Sequence, residues 1–286
     1  DGPAPGGGGG AATPPPPATP APPAATIPNE PLLLRHDAAG VTTLTLNRPQ
    51  QFNALSEEML LVLTEALQQI GQDPTVRVVV LAGAGKAFCA GHDLKQMRQT
   101  PDEEYYERLF RLCGTMMQTI SQIPQPVIAR VHGIATAAGC QLVAQCDLAI
   151  AVEEARFATS GINVGLFCST PAVPLTRNVS RKRSFEMLVT GDFVDAKTAA
   201  DWGLINQVVP AAELDNAIAT LAQKIVAKSA VAIATGKQMV YVQAEKHMDD
   251  AYGYAAHVMA VNMMAADVGE GIDAFMAKRK PVWQHK

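Results

Sequence analysis

Charge is scarce in this chain: 17% of its 286 residues are Asp, Glu, Lys or Arg, and the formal net charge is −4. Without a basic excess there is nothing to neutralise a phosphate backbone, which argues against a general nucleic-acid binder. Long apolar runs are missing too, since none approaches the roughly 18 residues that a membrane-spanning helix needs. The N-terminus also lacks the charged stretch followed by an apolar run of a secretory signal. Cysteine is limited to Cys89, Cys113, Cys140, Cys146 and Cys168, an odd set without Cys-x-x-Cys spacing. That set fits a reducing compartment better than a disulfide framework and supports no metal site. Residues 1–26 contain no arginine, which counts against a mitochondrial transit segment. The expected location is therefore cytoplasmic, with the mitochondrial matrix as the alternative.

What is present is a 48% hydrophobic composition over a length that buries one sizeable core. Residues 1–26 are almost wholly Pro, Gly, Ala and Thr, which cannot bury enough apolar surface to repay ordering. A disordered tail over 1–26 is expected, followed by an α/β core over 27–210 and a helical region over 211–286. Pro31 to His36 and Val41 to Asn47 read as a hairpin around Asp37-Ala-Ala-Gly40. Ser56, with Glu57 and Glu58, reads as a capped helix start, and Met59, Leu60, Leu63, Leu67 and Ile70 follow at helical spacing. Val76 to Ala82, Val127 to Val131 and Asp147 to Val152 read as strands buried on both faces, with a helix over Asp102 to Gln122 between the first two. Beyond Pro171 the pattern is mainly helical: Arg181 to Val189, Ala196 to Trp202, Ala211 to Ala227, Ala230 to Gln243, and two segments flanking Gly269 to Gly271. A short strand, Ile205 to Val209, interrupts these helices.

Two small-residue turns carry the chemistry. Lys86 to Met97, KAFCAGHDLKQM, follows a buried strand at its C-terminal end, where open α/β sheets place ligands. Ala137-Ala138-Gly139-Cys140 opens a helix after Thr136, so its free N–H groups and positive dipole end face whatever sits before the turn. Taken singly, Gly91 reads equally well as a turn residue, and Ala137 to Gly139 as a close approach of helix to strand.

The segments FCAGHDLK, PVIARVHG, AAGCQLVAQCDLAIA, LVTGDFVDAKTAADWGLINQVVP and GIDAFMAKRKP stand in a characteristic order and spacing. Together they resemble the crotonase superfamily, the enoyl-CoA hydratase and isomerase proteins, over roughly Pro31 to Lys280. The resemblance implies a spiral of β-β-α units with a C-terminal helical trimerisation region, assembled as a homotrimer or a dimer of trimers. It implies a coenzyme A thioester as substrate or ligand, with no further cofactor, and an oxyanion hole formed by the N–H groups of His92 and Ala138. It also implies contacts from Ala54, His92, Asp93, Leu94 and Lys95 to the adenine end of coenzyme A. Lys278, Arg279 and Lys280 would lie near its phosphates, although basic residues in a helix's last turn also serve the helix dipole. The lysine that often follows the family's Arg-Pro step is replaced here by Gln50.

The family's two catalytic glutamates correspond to Gln141 and Gly161, so the resemblance is to members that lack both. Glutamine has no titratable proton near neutral pH and glycine has no side chain. Positioned acid–base groups contribute about 100- to 10,000-fold each, so ordinary hydration is expected to be very slow. Candidate substitute proton carriers are His92 beside the proposed donor, unless its side chain faces solvent and only its N–H is used, and Cys168 in Gly165-Leu-Phe-Cys-Ser-Thr170 as a low-pKa thiol, although a free cysteine is more often buried and inert. Ser169 and Thr170 share that loop. His132 reads as a structural residue, Asp93 as a cap, and Glu103 and Glu104 as solvated helix-start acids. The two functional readings are an acyl-CoA enzyme with altered chemistry and a non-catalytic acyl-CoA binder.

Overall fold

The computed structural model describes residues 30–286; the predicted tail over 1–26 lies outside them. The hairpin forms as β1 (Leu33–Ala38) and β2 (Val41–Leu46), antiparallel, with Ala38 opposite Val41. Helix α1 (Glu57–Gly71) starts where the Ser56 hydroxyl accepts the Met59 N–H at 3.2 Å, satisfying one of the free amides of its first turn. Strand β3 (Val78–Gly83) is buried at every position, as a central parallel strand requires. Next come α2 (Leu94–Gln99), capped by Asp93, and α3 (Glu103–Gln122), capped by Asp102. They are followed by β4 (Val127–Val131), β5 (Ala135–Thr136), α4 (Ala138–Gln145), β6 (Leu148–Val152) and β7 (Arg156–Ala158). A 3-10 turn over Ser160–Val164 leads into α5 (Ser169–Asn178), α6 (Arg181–Thr190), β8 (Val194–Asp195), α7 (Ala196–Asp201) and β9 (Gln207–Val209). The chain closes with α8 (Leu214–Val226), α9 (Ala230–Ala244), α10 (Met248–Met263) and α11 (Ala266–Met276).

The main sheet runs β1-β2-β3-β4-β6-β9, with every neighbour beyond the hairpin parallel. A second, three-stranded sheet, β5-β7-β8, stands apart from it. Its strands are two or three residues long, which is why hydrophobic periodicity did not reveal them. Helix α1 packs beside α3, and α8 lies over β3, β4 and β6. The interlayer core is apolar: α1 contributes Met59, Leu60, Leu63, Leu67 and Ile70, and α3 contributes Leu109, Met116 and Ile120, all fully or almost fully buried. Each such side chain contributes about 1.5–3 kcal/mol of transfer free energy.

One sequence expectation needs correction. The last helices do not flank Gly269 to Gly271; α11 runs through both glycines, because the indole of Trp283 packs against Gly271 and its Nε1–H binds the Ala227 carbonyl at 2.9 Å. The boundary placed at 210 and 211 falls between β9 and the 3-10 turn that opens α8, inside one compact unit spanning Pro31–Lys286. Among the described residues no single helix is long and apolar enough to cross a membrane.

One buried ionic latch ties the terminal helices to the sheet. Lys237 on α9 donates to the Ile120 carbonyl (2.6 Å), the Gln125 carbonyl (2.8 Å) and Asp147 Oδ2 (2.7 Å), which uses all three ammonium protons. Asp147 Oδ2 also accepts the Val127 N–H at 2.7 Å, and Oδ1 accepts the Tyr241 hydroxyl. Burial lowers the pKa of Lys237 despite the carboxylate beside it; burial, and then the Asp147 charge, raise that of Tyr241. Breaking one side of a buried pair strands the other charge, at about 3–5 kcal/mol. Lys237→Ala is therefore expected to lower the unfolding free energy measured by urea titration by that much, and adding Asp147→Asn should recover part of the loss. Additive losses in the double variant would contradict the pairing.

Candidate active site

The first turn is built on a buried asparagine. Asn53 is wholly buried and adopts a left-handed conformation (φ 55°), which asparagine tolerates better than most residues. Its Nδ2 group donates to the carbonyls of Ala84 (2.8 Å), Ala87 (2.9 Å) and Phe88 (3.2 Å), and its Oδ1 accepts the Arg48 N–H at 2.9 Å. These bonds fix the loop after β3. The loop continues along Leu55, whose N–H binds the Gly91 carbonyl at 2.7 Å. Arg48 closes the outer side, donating to the Ala54 carbonyl (2.8 Å) and to Asp93 (3.0 Å). Sequence reading passed over Asn53, although its place in Asn53-Ala54-Leu55-Ser56, between a strand and a capped helix, was the available signal.

The second turn is pressed against the first. The Thr136 N–H binds the Cys89 carbonyl at 3.0 Å, and a Cβ placed on Gly139 would lie 2.0 Å from that same oxygen. Only glycine fits there. Before it, Ala137 takes φ 51° and ψ −120°, a conformation that costs a residue with a Cβ roughly 1–3 kcal/mol. Gly91, at φ 96°, comes so close that an added Cβ would lie 3.1 Å from the Ala138 nitrogen. The two turns therefore meet, bringing the backbone at His92 near the first amide of α4. Among the described residues, neither the His92 N–H nor the Ala138 N–H donates a hydrogen bond to the chain. Ala138 is fully buried, and a buried helix start without an acceptor needs an external partner.

A cavity of about 320 Å³ opens at this junction. Ala90, His92, Ala137 and Ala138 from the two turns line it, together with Met97, Phe110, Leu166, Phe167 and Cys168. Among the described residues, no Asp, Glu, Lys or Arg lines it. Phe110 was missed as a site residue because on α3 it reads only as one more apolar position. Its ring meets His92 edge-on, with centroids 5.3 Å apart and planes at 75°. Both ring nitrogens of His92 are buried without a hydrogen-bond partner, a cost of about 1–3 kcal/mol. Burial pushes its pKa down to about 4, so the imidazole is neutral near pH 7 and a weak base.

The remaining candidates are placed as follows. Gln141 is buried within α4, its Oε1 unpartnered, and it does not line the cavity. Gly161 does line it, but the space a side chain would need is taken: a Cβ there would lie 2.5 Å from the Leu166 carbonyl oxygen and 2.9 Å from Cys168 Sγ. Cys168 Sγ accepts the Gly161 N–H at 3.3 Å. Burial nevertheless raises its pKa, which corrects the expectation of a low-pKa thiol there. Ser169 and Thr170 also line the cavity. His132 is held by the Gly85 carbonyl at 2.7 Å, Glu104 pairs with Arg108, and neither they nor Glu103 line the cavity. Asp93 caps α2, Leu94 reaches the cavity edge, and Lys95 is exposed. Lys278 and Lys280 are exposed past the end of α11, while the intervening Arg279 pairs with Glu270. None of these three lines the cavity of this chain. Among the described residues no cluster of His, Cys, Asp or Glu is grouped to hold a metal.

Comparison with known proteins agrees with this architecture. The sequence model of the family described as enoyl-CoA hydratase/isomerase matches residues 36–286. The enoyl-CoA hydratase domain-containing protein 3, mitochondrial, of Xenopus laevis is 42% identical over 259 residues, 91% of this chain and 88% of that protein. The crystal structure of an enoyl-CoA hydratase from Mycobacterium smegmatis superimposes with a TM-score of 0.88 at 60% identity, covering 89% of this chain and 99% of that one. The human enoyl coenzyme A hydratase domain-containing protein 3 superimposes with a TM-score of 0.86 at 40% identity, covering 88% and 100%. A family model matching most of the chain, a 42% identical relative and superimposable structures together show that the chain belongs to the enoyl-CoA hydratase/isomerase family of the crotonase superfamily.

Proposed function

We propose that this protein binds an acyl-CoA and polarises its thioester carbonyl between the N–H groups of His92 and Ala138. The observation that carries this reading is the pair of unclaimed amides brought together at the wall of an apolar cavity. A thioester oxygen that gains negative charge as an enolate forms is stabilised by such fixed donors, and removal of one from a comparable site costs about 3 kcal/mol. The start of α4 adds the positive end of a helix dipole. The acyl chain would lie against Met97, Phe110 and Leu166.

The relatives' names point to hydration of an enoyl-CoA, whereas this cavity holds no carboxylate to activate water or return a proton. His92 is too weak a base near neutral pH, and Cys168 stays a thiol. Ordinary hydratase turnover is accordingly very slow. A second reading, a non-catalytic acyl-CoA binder, is favoured by one specific observation: the side-chain space at Gly161 is filled by the Leu166 carbonyl and Cys168.

An oligomer fits the surface. Helix α10 buries none of its residues within the chain, and Met259, Met264 and Phe275 are 72%, 85% and 85% exposed. An apolar face of that size on a soluble chain marks an interface, and we infer a homotrimer or a dimer of trimers built through α10 and α11. Five buried free cysteines fit a reducing compartment, and the name of the frog relative points to the mitochondrion.

Calorimetric titration with butyryl-CoA and crotonyl-CoA, run beside a hydration assay, is expected to give saturable binding with turnover at least 100-fold below that of a hydratase carrying both glutamates. Absence of binding would overturn the acyl-CoA reading. The pair Gln141→Glu and Gly161→Glu is expected not to restore hydration, because the second residue must displace the 160–168 turn; it should also lower the melting temperature. Full recovery of turnover with unchanged stability would refute the closed geometry at Gly161. Sedimentation analysis should return three or six times the chain mass, and Met259→Glu with Phe275→Glu should shift the protein to monomer.

A further inference from the structure

At the other end of the parallel strands, just before β3 and β4, two side chains turn hydrogen-bond donors towards one another. Beyond α11 the chain doubles back and is pinned by two carboxylates of that helix. Glu270 accepts the Val282 N–H at 2.8 Å, and the buried Asp267 accepts the N–H groups of Gln284 (2.7 Å) and His285 (2.9 Å). His285 is thereby held at φ 60°, a left-handed conformation in which its Nδ1 accepts the Ala230 N–H at 3.1 Å. That bond fixes the tautomer, since a ring that offers a lone pair at Nδ1 carries its proton on Nε2. Nε2 lies 3.3 Å from Arg77 Nη1, which has only N–H groups to offer. The contact is donor against donor, and neither group satisfies the other.

An acceptor with two adjoining oxygens resolves that mismatch, and the surroundings call for a charged one. Arg77 is half-buried and desolvation lowers its pKa; Asp267, the carboxylate that offsets this, already spends its oxygens on Ser229, Gln284 and His285. Arg77 Nη2 binds the Lys228 carbonyl at 2.7 Å, which leaves Nη1 for a further partner. Both residues line a cavity of about 250 Å³, and among the described residues no Asp or Glu lines it. Val231, in the first turn of α9, lines it too, and among the described residues its N–H meets no acceptor. Apart from Gln125, whose amide binds the Ile70 and Asp73 carbonyls, the remaining walls are apolar, with Val76, Pro124, Ile233 and Ala234 among them. An inorganic anion would gain nothing from such walls, whereas a short hydrocarbon tail would be taken out of water there. We propose that this cavity is a second ligand site, taking a small monocarboxylate whose two oxygens receive Arg77 Nη1–H and His285 Nε2–H while its alkyl chain lies on the apolar walls. A guanidinium suits the role because charge-assisted bonds to a carboxylate are stronger than neutral ones. The site shares no residue with the acyl-CoA cavity, so the two readings stand or fall separately.

Calorimetric titration of the full chain with butyrate tests this, beside butyramide as the uncharged counterpart and chloride as the bare anion, all at constant ionic strength. Saturable binding of butyrate is expected, at least about tenfold tighter than that of butyramide. His285→Phe should weaken it at least about fivefold and Arg77→Gln at least about tenfold, because each removes a bond to a charged group. His285→Asn, which tolerates the left-handed backbone and keeps an acceptor and a donor, should retain more affinity than His285→Phe. Should Arg77→Gln not fold, the unaltered protein decides by NMR: His285 Nε2 and the Val231 amide should shift with butyrate along one binding curve, which saturating butyryl-CoA leaves in place. No saturable butyrate binding, equal binding of butyramide, the same shifts with chloride alone, or undiminished affinity in both His285→Phe and Arg77→Gln overturns the site. Displacement of butyrate by butyryl-CoA would put the carboxylate in the other cavity and overturn it as well.

Discussion

The contact between Gly139 and the Cys89 carbonyl fixes the geometry on which the site depends. With no side chain at 139, the first turn of α4 sits directly on the loop that follows β3, closer than any other residue allows. From that contact follow the Thr136–Cys89 hydrogen bond, the placement of Gly91 beside the Ala138 nitrogen, and the cavity at their junction. Asn53 supplies the opposing restraint, gathering three carbonyls of the loop with one amide group. The loop is thus held on one side by a buried polar clasp and on the other by steric contact. Neither restraint depends on a ligand.

Much of this was legible in the chain. Ser56 and Asp102 declared helix starts that α1 and α3 adopt within a residue, and the unbroken apolar run ending at Ala82 announced a strand buried on both faces. Gly91 and Ala137 to Gly139 marked the two turns, but their meeting is a matter of tertiary packing that no local pattern encodes. Strands β5, β7 and β8 escaped because two or three residues carry no period. The choice between a reactive and an inert Cys168 needed the coordinates, because residue type does not report burial, and burial raises its pKa. Phe110 carries the same apolar signal as its core neighbours, so only the coordinates separate a cavity wall from packing.

The two positions that depart from the hydratase pattern differ in kind. Gln141 keeps the length and shape of a glutamate and changes only its proton chemistry. Gly161 differs in its surroundings as well, since the Leu166 carbonyl and Cys168 occupy the room a side chain would use. The first departure is reversible by one atom exchange; the second is built into the course of the 160–168 turn. A chain that had lost a carboxylate without any other consequence would keep that room open.

Ala137 holds a backbone conformation that an isolated peptide of this sequence would avoid. The surrounding packing has already met the cost of that conformation during folding, so the amide that follows is aimed before any guest arrives. On the acyl-CoA reading proposed above, an electrophile entering this cavity would meet a rigid electrostatic mould, with little reorganisation left to slow its response.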